Sequence, residues 1–506
     1  MEMGLIDTGV LAGYVALTLV IAVVAGRREQ SSEDFFLGGR QQPWIIVGLS
    51  ILATEVSALT FISVPAEAFA KDWTYLQMYA GAILGRVLII VLLLPAFYRG
   101  GVTTVYEYLG QRFGPWTRTT GALLYVGSRV LGSGIRLLVA SLALSVILNW
   151  SLDVTILLVG GIAIAYTAFG GIKAIIWTDA WQAAIFLGAG VAALLFLVTH
   201  TPGSWADQLA FAREEGKLRI FTWDWNPNNI KAFWVLAIHA TVLNMAALGT
   251  DQDLTQRMLT CADVGKGQRS LLLNLVLGLP VVCLFLLIGA QLYVHDAWHP
   301  ATWLSASPSA STDRLFPHFI AEGLPANTGL KGLLIAGVFA AAMSSIDSSL
   351  GGLSSTAVTD LYVPWTRRSG GRAARHSDRH GLLAARVFAV FFGVVLVIVA
   401  LAFSRYDRLL WRVFEWVGLI FGGLLGVFLL GVTTTHRGND RINTVAMLSS
   451  VGMLVTLRAV QESLATTYVA WPWWVVLGTG WTYGLAVCFR GVETKSPHSR
   501  QRDSNP

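Results

Sequence analysis

Charged side chains are scarce in this sequence, and their scarcity argues against a soluble protein. Asp, Glu, Lys and Arg make up 13% of the 506 residues, whereas a soluble domain usually carries about 25%. Hydrophobic residues reach 54%, and the mean hydropathy is +0.60. This composition predicts a protein that lies in a lipid bilayer.

Cysteine is rare as well, with three residues in all: Cys261, Cys283 and Cys488. They form no CxxC pair, which excludes a disulfide framework and a cysteine zinc site. The excess of 36 Lys and Arg over 30 Asp and Glu is explained by membrane topology, so no nucleic-acid partner is expected. The HExxH, P-loop and GxSxG motifs are missing, so we do not expect an enzyme. No obligate protein partner is evident from the sequence.

Apolar runs of about bilayer length recur from end to end of the chain. They predict an all-α membrane protein with about 13 transmembrane helices. Their approximate ranges are 5–25, 44–70, 75–97, 117–148, 154–169, 178–198, 232–249, 271–293, 330–362, 382–403, 413–431, 445–460 and 468–488. The first run is read as a retained helix, because it lacks the basic start and small-residue exit of a signal peptide.

Basic residues alternate between rich and poor loops along this series. The rich set includes Arg99, Arg112, Arg257 and Lys266, whereas Lys71 is the single basic residue in one of the poor loops. The positive-inside rule places the rich set in the cytoplasm, so the N-terminus is expected outside and the C-terminus inside. The loop at 405–412 breaks this pattern. The expected location is a plasma membrane, the cytoplasmic membrane of a prokaryote.

Residues 340–362 combine the length of a membrane span with several serines and Asp347. Ser344, Ser345, Asp347 and Ser348 fall on one side of a helix. An Asp at the bilayer centre costs roughly 2.5–3.5 kcal/mol, so this stripe indicates a bound cation, which would use the oxygens as ligands. Close packing of small residues is the alternative, and it explains the serines but not Asp347.

Two of the predicted spans are interrupted. Pro65 removes a backbone donor, so carbonyls near 57–62 lose their partners. In lipid such carbonyls are tolerated where they line a cavity or bind an ion. The span at 232–249 also weakens, toward the polar stretch 249–252. Broken helices five spans apart predict inverted repeats with a midplane site, and a simple kink at Pro65 is the alternative.

Five further ionisable residues lie at membrane depth: Arg86, Arg129, Arg136, Asp179 and Glu415. Such groups indicate function or hold helices together as ion pairs. Arg86 and Arg129 fit both interpretations equally. Arg136 lies deeper in its span and is interpreted as a contact for a substrate carboxylate, with an internal salt bridge as the alternative.

Several stretches resemble the sodium:solute symporter family, the relatives of the sodium–glucose, sodium–iodide and sodium–proline cotransporters. They are SSEDFFLGGR (31–40), VTTVYEYLGQRFG (102–114), GGIKAIIWTDAWQ (170–182), GTDQDLTQRMLT (249–260) and AAAMSSIDSSLGGLSSTAVTDLY (340–362). The resemblance covers nearly the whole chain in family order and implies sodium-coupled import of a small organic solute by alternating access.

The resemblance also implies the leucine-transporter type of fold, with two inverted five-helix repeats and peripheral helices. The expected domains are a peripheral helix (1–30), a first repeat (44–198), an extracellular loop (199–231), a second repeat (232–431), two peripheral helices (432–490) and a disordered cytoplasmic tail (491–506).

Ion sites follow from the same resemblance. It implies one Na⁺ bound by the carbonyls of Ala53, Val56 and Ala341 and the hydroxyls of Ser344 and Ser345. A second Na⁺ site would use Asp179, Ser344, Asp347 and Ser348. Two neighbouring carboxylates repel unless a cation or a proton lies between them, so a protonated Asp347 is the alternative to the second Na⁺.

The resemblance implies substrate contacts at Glu55, Thr60 and Asn244, to which the charge argument adds Arg136. The aromatic pair that gates a sugar site is replaced by Ala247 and Leu248, which argues against a sugar. The arginines favour an organic anion such as a monocarboxylate or sialic acid. The alternatives are a neutral solute (sugar, amino acid or vitamin) and a passive channel or facilitator.

Overall fold

The structure, a computed structural model, describes residues 4–26, 31–298, 315–368, 378–405 and 409–490. Within these ranges the regular structure is helical, apart from one isolated β-bridge between Arg437 and Arg490. The predicted all-α class is therefore confirmed. The tail at 491–506, predicted to be disordered, lies outside the described residues.

The helices that matter below are numbered in chain order. They are α1 (Leu5–Ala25), α2 (Trp44–Glu55), α3 (Ala58–Ala70), α4 (Thr74–Gly100), α5 (Val105–Arg112), α6 (Pro115–Leu148), α7 (Leu152–Ala165), α8 (Gly170–His200), α9 (Trp205–Glu214), α10 (Phe233–Gly249), α11 (Gln252–Leu259), α12 (Val264–Trp298), α13 (Leu330–Thr356), α14 (Asp378–Phe403), α15 (Leu409–Thr433), α16 (Asp440–Ser463) and α17 (Pro472–Val487).

Eight helices among the described residues are long and apolar enough to cross a membrane, and counting each bent pair as one span gives up to ten. The apolar helix α7 and the Gly418–Thr433 part of α15 are shorter than that test requires. Helix α17 has 16 residues. The count of thirteen therefore stays a prediction.

Both predicted helix breaks are present. The axes of Trp44–Glu55 and Thr60–Ala70 differ by 56°, and those of α10 and α11 differ by 62°. The first break lies at Val56 and Ser57, just before the predicted stretch, while Pro65 lies inside α3. A proline frees only the carbonyl four residues earlier, so α3 can continue through it.

The connection between the predicted spans 154–169 and 178–198 is also helical. Helical structure runs from Leu152 to His200, apart from Gly171, which has φ 52° and ψ −163°. This conformation favours glycine because a Cβ atom would clash with the backbone. The chain thus changes direction without the loop that the sequence predicted.

One predicted loop is wrong in a way that matters for function. The sequence placed Arg257 in a polar loop between spans, but it lies in α11 and only 1% of its surface is exposed. The weak hydrophobicity of this stretch resembles a loop because nearly all of its polar side chains are buried against other helices.

Helix α13 lies at the centre of the molecule, since 94% of its most apolar window is buried, against 17% for α1. Asp7 joins the two helices. Its Oδ2 accepts from the Asn327 N–H at 2.6 Å, and its Oδ1 accepts from the Gly329 N–H at 2.9 Å. The peripheral helix is therefore anchored at the start of the helix that carries the serine stripe.

Candidate functional site

The break between α2 and α3 lies against the serine stripe of α13. Thr54 Oγ1 and Ser348 Oγ are 3.0 Å apart across this contact. The Ser57 N–H bonds to the Glu55 carbonyl at 3.1 Å, so the Ala53 carbonyl loses the partner that a continuous helix would provide. A free, buried carbonyl facing a polar helix is a suitable cation ligand.

The two predicted hydroxyl ligands of the first Na⁺ differ in their hydrogen bonds. Ser344 Oγ is buried and has no hydrogen-bond partner of good geometry among the described residues. Ser345 Oγ donates to the Ala341 carbonyl across a long 3.3 Å. An unsatisfied buried hydroxyl costs about 1–3 kcal/mol, and an ion at this position would remove that cost.

Asp179 has a partner that the sequence analysis did not foresee. Arg257 Nη2 donates to Asp179 Oδ2 at 2.8 Å, and Ser50 Oγ donates to the same oxygen at 2.6 Å. The other oxygen, Oδ1, is buried without a hydrogen bond of good geometry among the described residues, although the Ser344 side chain lies close to this carboxylate. A guanidinium thus already opposes the carboxylate that was expected to bind the second Na⁺.

The position of Arg257 is fixed by several further bonds. Its Nε donates to Ser50 Oγ at 2.8 Å, and its Nη groups donate to the Asp253 carbonyl and to Ser348 Oγ. Ser348, a predicted ligand of the second site, is therefore shared between the arginine and α13. Asp347 is fully buried beside it, and its Oδ1 accepts from the Ser348 N–H at 2.7 Å.

A cluster of unsatisfied polar atoms between α1 and α8 escaped the sequence analysis. The Tyr14 hydroxyl and both side-chain polar atoms of Gln182 are buried without a hydrogen-bond partner of good geometry among the described residues. Gln182 lies next to the Tyr14 hydroxyl, which also experiences the charges of Asp347 and Asp179. A tyrosine inside an apolar helix was the available signal, but α1 was assigned to the periphery.

Three of the four predicted substrate residues line one cavity of about 90 Å³. It lies beside the first helix break, between α2, α3, α4, α10 and α12. The lining residues are Leu52, Glu55, Val56, Thr60, Tyr75, Met78, Tyr79, Ala82, Arg86, Asn244, Gly278 and Val282. The structure thus brings Glu55, Thr60 and Asn244 together and adds Arg86.

Arg86 is the charged donor of this cavity. It pairs with Glu55 Oε1, while Asn274 Nδ2 donates to Glu55 Oε2 at 3.0 Å. Both carboxylate oxygens are thus engaged. The Nε and Nη1 groups of Arg86 are buried without a partner among the described residues. The guanidinium therefore has donors left for an anion in the cavity.

Arg136 does not line the cavity. It makes no hydrogen bond or ion pair with any described residue, and its nearest charges are Arg129, Asp251 and Asp253. Arg129 pairs with both aspartates, at 3.3 Å for Asp251. Arg129 therefore has the structural one of its two expected roles, because its ion pairs join α6 to the second helix break.

The stretches that resemble the symporter family meet on one side of the molecule. Gln256 Nε2 of α11 donates to the Phe36 carbonyl at 2.7 Å. Lys173 Nζ pairs with Asp34 at 2.6 Å. The motifs are thus contact partners that enclose α11, which is the helix that carries Arg257.

Comparison with known proteins decides the family. The profile of the sodium:solute symporter family matches residues 35–448. The chain belongs to this family. Membership confirms the predicted class of activity, sodium-coupled solute symport across a membrane, with sodium as the coupling ion.

Individual symporters of the family are similar over most of the chain. The sodium/sialic acid symporter SiaT of Proteus mirabilis is 30% identical over 465 residues, covering 90% of this chain and 90% of the relative. The human sodium-coupled monocarboxylate transporter 1 is 28% identical over 459 residues, covering 90% of this chain and 71% of the relative.

Solved structures agree with this placement. A Na⁺-coupled sialic acid symporter in a substrate-bound, outward-open state matches with a TM-score of 0.84 and 26% identity, covering 96% of this chain and 98% of that one. A nucleobase-cation-symport-1 family transporter in a closed conformation matches with a TM-score of 0.53 at 15% identity, covering 92% and 97%. The second match shows a shared fold alone.

Proposed function

We propose that this symporter imports a small organic anion together with Na⁺, and that Arg86 binds the carboxylate of the substrate. The observation that carries the proposal is the pair of unsatisfied N–H groups on Arg86, buried at a cavity beside the helix break. A carboxylate accepts a charge-assisted hydrogen bond from a guanidinium N–H group, which a neutral solute cannot match in strength.

We also propose the membrane arrangement that the sequence predicted. Thirteen spans place the N-terminus outside and the C-terminus in the cytoplasm. The repeats at 44–198 and 232–431 each begin with a broken helix, which supports a pseudo-twofold relation between them. The family relatives support a plasma-membrane location.

The first Na⁺ is proposed to bind the carbonyls of Ala53, Val56 and Ala341 and the hydroxyls of Ser344 and Ser345. The freed Ala53 carbonyl and the unsatisfied Ser344 hydroxyl support this set. Neutral oxygens bind Na⁺ without an excess of negative charge, so the ion can leave again during transport.

The cavity favours a short substrate. Its volume of about 90 Å³ is small beside the roughly 300–1,000 Å³ of typical ligand pockets. A short monocarboxylate fits this space with small changes, whereas sialic acid requires the cavity to widen. The human relative transports monocarboxylates by its name, which agrees with the smaller ligand.

A zwitterionic amino acid is the second candidate. Glu55 also lines the cavity and its side chain is 33% exposed, so it can face an ammonium group. However, both Glu55 oxygens already accept hydrogen bonds. A zwitterion would have to replace one of those bonds, which favours the plain carboxylate.

The test is a thermal-shift titration of the purified full-length protein with pyruvate, sialic acid, alanine and glucose, each with and without Na⁺. Pyruvate should raise the Tm in Na⁺ and much less without it, because coupled ligands stabilise each other. Loss of a charged hydrogen bond costs about 1.5–3 kcal/mol, so Arg86→Gln should weaken pyruvate binding about 10- to 150-fold.

Two further variants serve as controls. Glu55→Gln/Arg86→Gln removes both charges and leaves no unpaired carboxylate, so it separates lost binding from lost folding. Arg136→Gln removes an arginine that does not line the cavity and should leave pyruvate binding intact. Normal binding in the Arg86 variant, with loss in the Arg136 variant, would move the carboxylate site to α6. Preference for glucose would refute the anion proposal.

A further inference from the structure

A second, larger cavity lies at the far end of the helix bundle from the substrate cavity. Its volume is about 560 Å³, and it opens between the ends of α4 and α15 and the link helix α5. It is lined by Ala96, Arg99, Gly100, Tyr108, Gln111, Arg112, Gly431, Val432, Thr433, Thr434 and Thr435. It contains none of the proposed sodium or substrate residues.

Two arginines give this cavity its charge. Arg112 Nη2 donates to the Thr434 carbonyl at 2.8 Å, and Arg99 Nε donates to the Pro95 carbonyl at 3.2 Å. Neither guanidinium pairs with a carboxylate among the described residues, and no acidic residue lines the cavity. Each arginine therefore keeps N–H donors for an external acceptor.

In a neighbouring cavity, by contrast, the arginine is paired with a carboxylate. It measures about 270 Å³ and contains Glu107, Arg118 and Asp360. There Arg118 Nε pairs with Asp360 Oδ1 at 2.7 Å. An arginine that only joins helices is neutralised by its neighbour, whereas Arg99 and Arg112 are left positive at an open cavity.

The helix ends around the cavity predict that it lies at the level of the membrane surface. It opens where α4 and α15 end, and Trp116, at the start of α6, has 59% of its surface exposed. Exposed Trp residues at helix ends are typical of the bilayer interface, and the excess of basic residues assigns this side to the cytoplasm. Lipid phosphates occupy the same level, so headgroups are at high local concentration around the opening.

We propose that this cavity binds the phosphate group of an anionic lipid, with Arg99 and Arg112 as its charged donors. Guanidinium groups bind phosphate in a bidentate manner. Basic pockets between membrane helices on the cytoplasmic side are suited to anionic headgroups. The Thr435 hydroxyl and the Gln111 amide offer polar contacts for the rest of the headgroup.

Native mass spectrometry of the full-length protein in neutral detergent tests this site without substrate or sodium. The probes are phosphatidylglycerol, phosphatidylcholine and inorganic phosphate. The variants are Arg99→Gln and Arg112→Gln, and Arg441→Gln is the matched control because Arg441 is an exposed arginine outside the cavity. Each basic residue near a membrane contributes a factor of about five to binding of anionic lipid.

Phosphatidylglycerol should remain bound to the wild type and to Arg441→Gln, and about fivefold less should remain on each cavity variant. Arg99→Gln decides the outcome, because the hydrogen bond of Arg99 to the Pro95 carbonyl lies within its own helix turn, and its loss should not affect folding. Equal retention by Arg99→Gln and Arg441→Gln, or equal binding of phosphatidylcholine, would overturn the proposal. Inorganic phosphate that displaces the lipid would identify a soluble anion as the natural ligand.

Discussion

Replacing Ser344 by Ala tests the first sodium site through two effects of opposite sign. The change should maintain or raise the stability of the sodium-free protein and should weaken its binding of Na⁺. The Ser344 hydroxyl is fully buried in α13 without a hydrogen-bond partner of good geometry among the described residues. In the absence of Na⁺ the Asp179 carboxylate lies beside this hydroxyl but makes no hydrogen bond of good geometry with it. The bonds to water that burial removed are therefore not fully replaced. With Na⁺ bound the hydroxyl becomes a ligand.

The two effects have comparable size. Removing an unsatisfied hydroxyl relieves about 1–3 kcal/mol, so the sodium-free Ser344→Ala protein should be as stable as the wild type or more stable. Wild-type protein at a Na⁺ concentration of about 100 Kd gains about 2.7 kcal/mol from the ion. If the variant binds Na⁺ tenfold more weakly, this gain falls to about 1.4 kcal/mol at the same concentration.

The assay is a Na⁺ titration followed by Tm, with choline chloride to keep ionic strength constant. Ser349→Ala is the matched control from the same helix. Ser349 Oγ donates to the Ser345 carbonyl at 2.9 Å and accepts from Ser133 Oγ at 2.7 Å. Its loss should lower the Tm with and without Na⁺ and leave the half-saturating Na⁺ concentration unchanged.

The reasoning is refuted if Ser344→Ala loses stability without Na⁺ and keeps the wild-type Na⁺ dependence. That result would mean that the hydroxyl has a structural partner and is no ion ligand. Ser344→Ala would then behave like Ser349→Ala, with a lower Tm with and without Na⁺ and an unchanged half-saturating Na⁺ concentration.

Three other changes have distinct expected outcomes. Asp347→Asn should lower the Hill coefficient for Na⁺ in uptake assays from above one to near one. A wild-type coefficient of one, together with one Na⁺ moved per substrate by isotope flux, would exclude a second ion. Arg257→Gln breaks a buried ion pair and should destabilise the protein by about 3–5 kcal/mol in Tm-based assays, while adding Asp179→Asn should recover part of the loss. Gly289→Ala places a Cβ 2.1 Å from a backbone oxygen of α3 and should lower the free energy of unfolding by about 1–3 kcal/mol. Gly188→Ala, whose Cβ would have no atom within 4 Å, should leave the stability nearly unchanged.

The sequence predicted most of what depends on hydrophobic periodicity and local breaks. Apolar runs identified the helical class, and Gly249 to Gln252 marked the second break where α10 ends. The first break was misplaced by a few residues because Pro65 was taken as its cause. A proline inside a helix frees only one carbonyl, so α3 continues through Pro65. The break itself arises at Val56, where the backbone leaves helical geometry with ψ 85°.

Pairings between distant helices could not be predicted in the same way. Arg257 and Asp179 are 78 positions apart, and the short polar α11 resembles a surface loop until the helices around it are assembled. Arg86 was judged equally suited to structure and function because its partner, Glu55, lies 31 positions away. Tyr14 was not predicted to lie near these groups, because its helix, α1, was assigned to the periphery.

The pairing of Arg257 changes how the second cation should be understood. From the sequence, either a second Na⁺ or a bound proton was expected to reduce the repulsion between Asp179 and Asp347. In the structure the guanidinium of Arg257 lies 2.8 Å from Asp179. Arg257 thus offsets the charge of Asp179, while Asp347 is buried in the same region. A Na⁺ about 4 Å from the guanidinium meets a repulsion of roughly 4 kcal/mol at an effective dielectric of 20, and one carboxylate at the same distance only cancels it. Because Arg257 already offsets the charge of Asp179, we predict that the second Na⁺ needs the carboxylates of both Asp179 and Asp347.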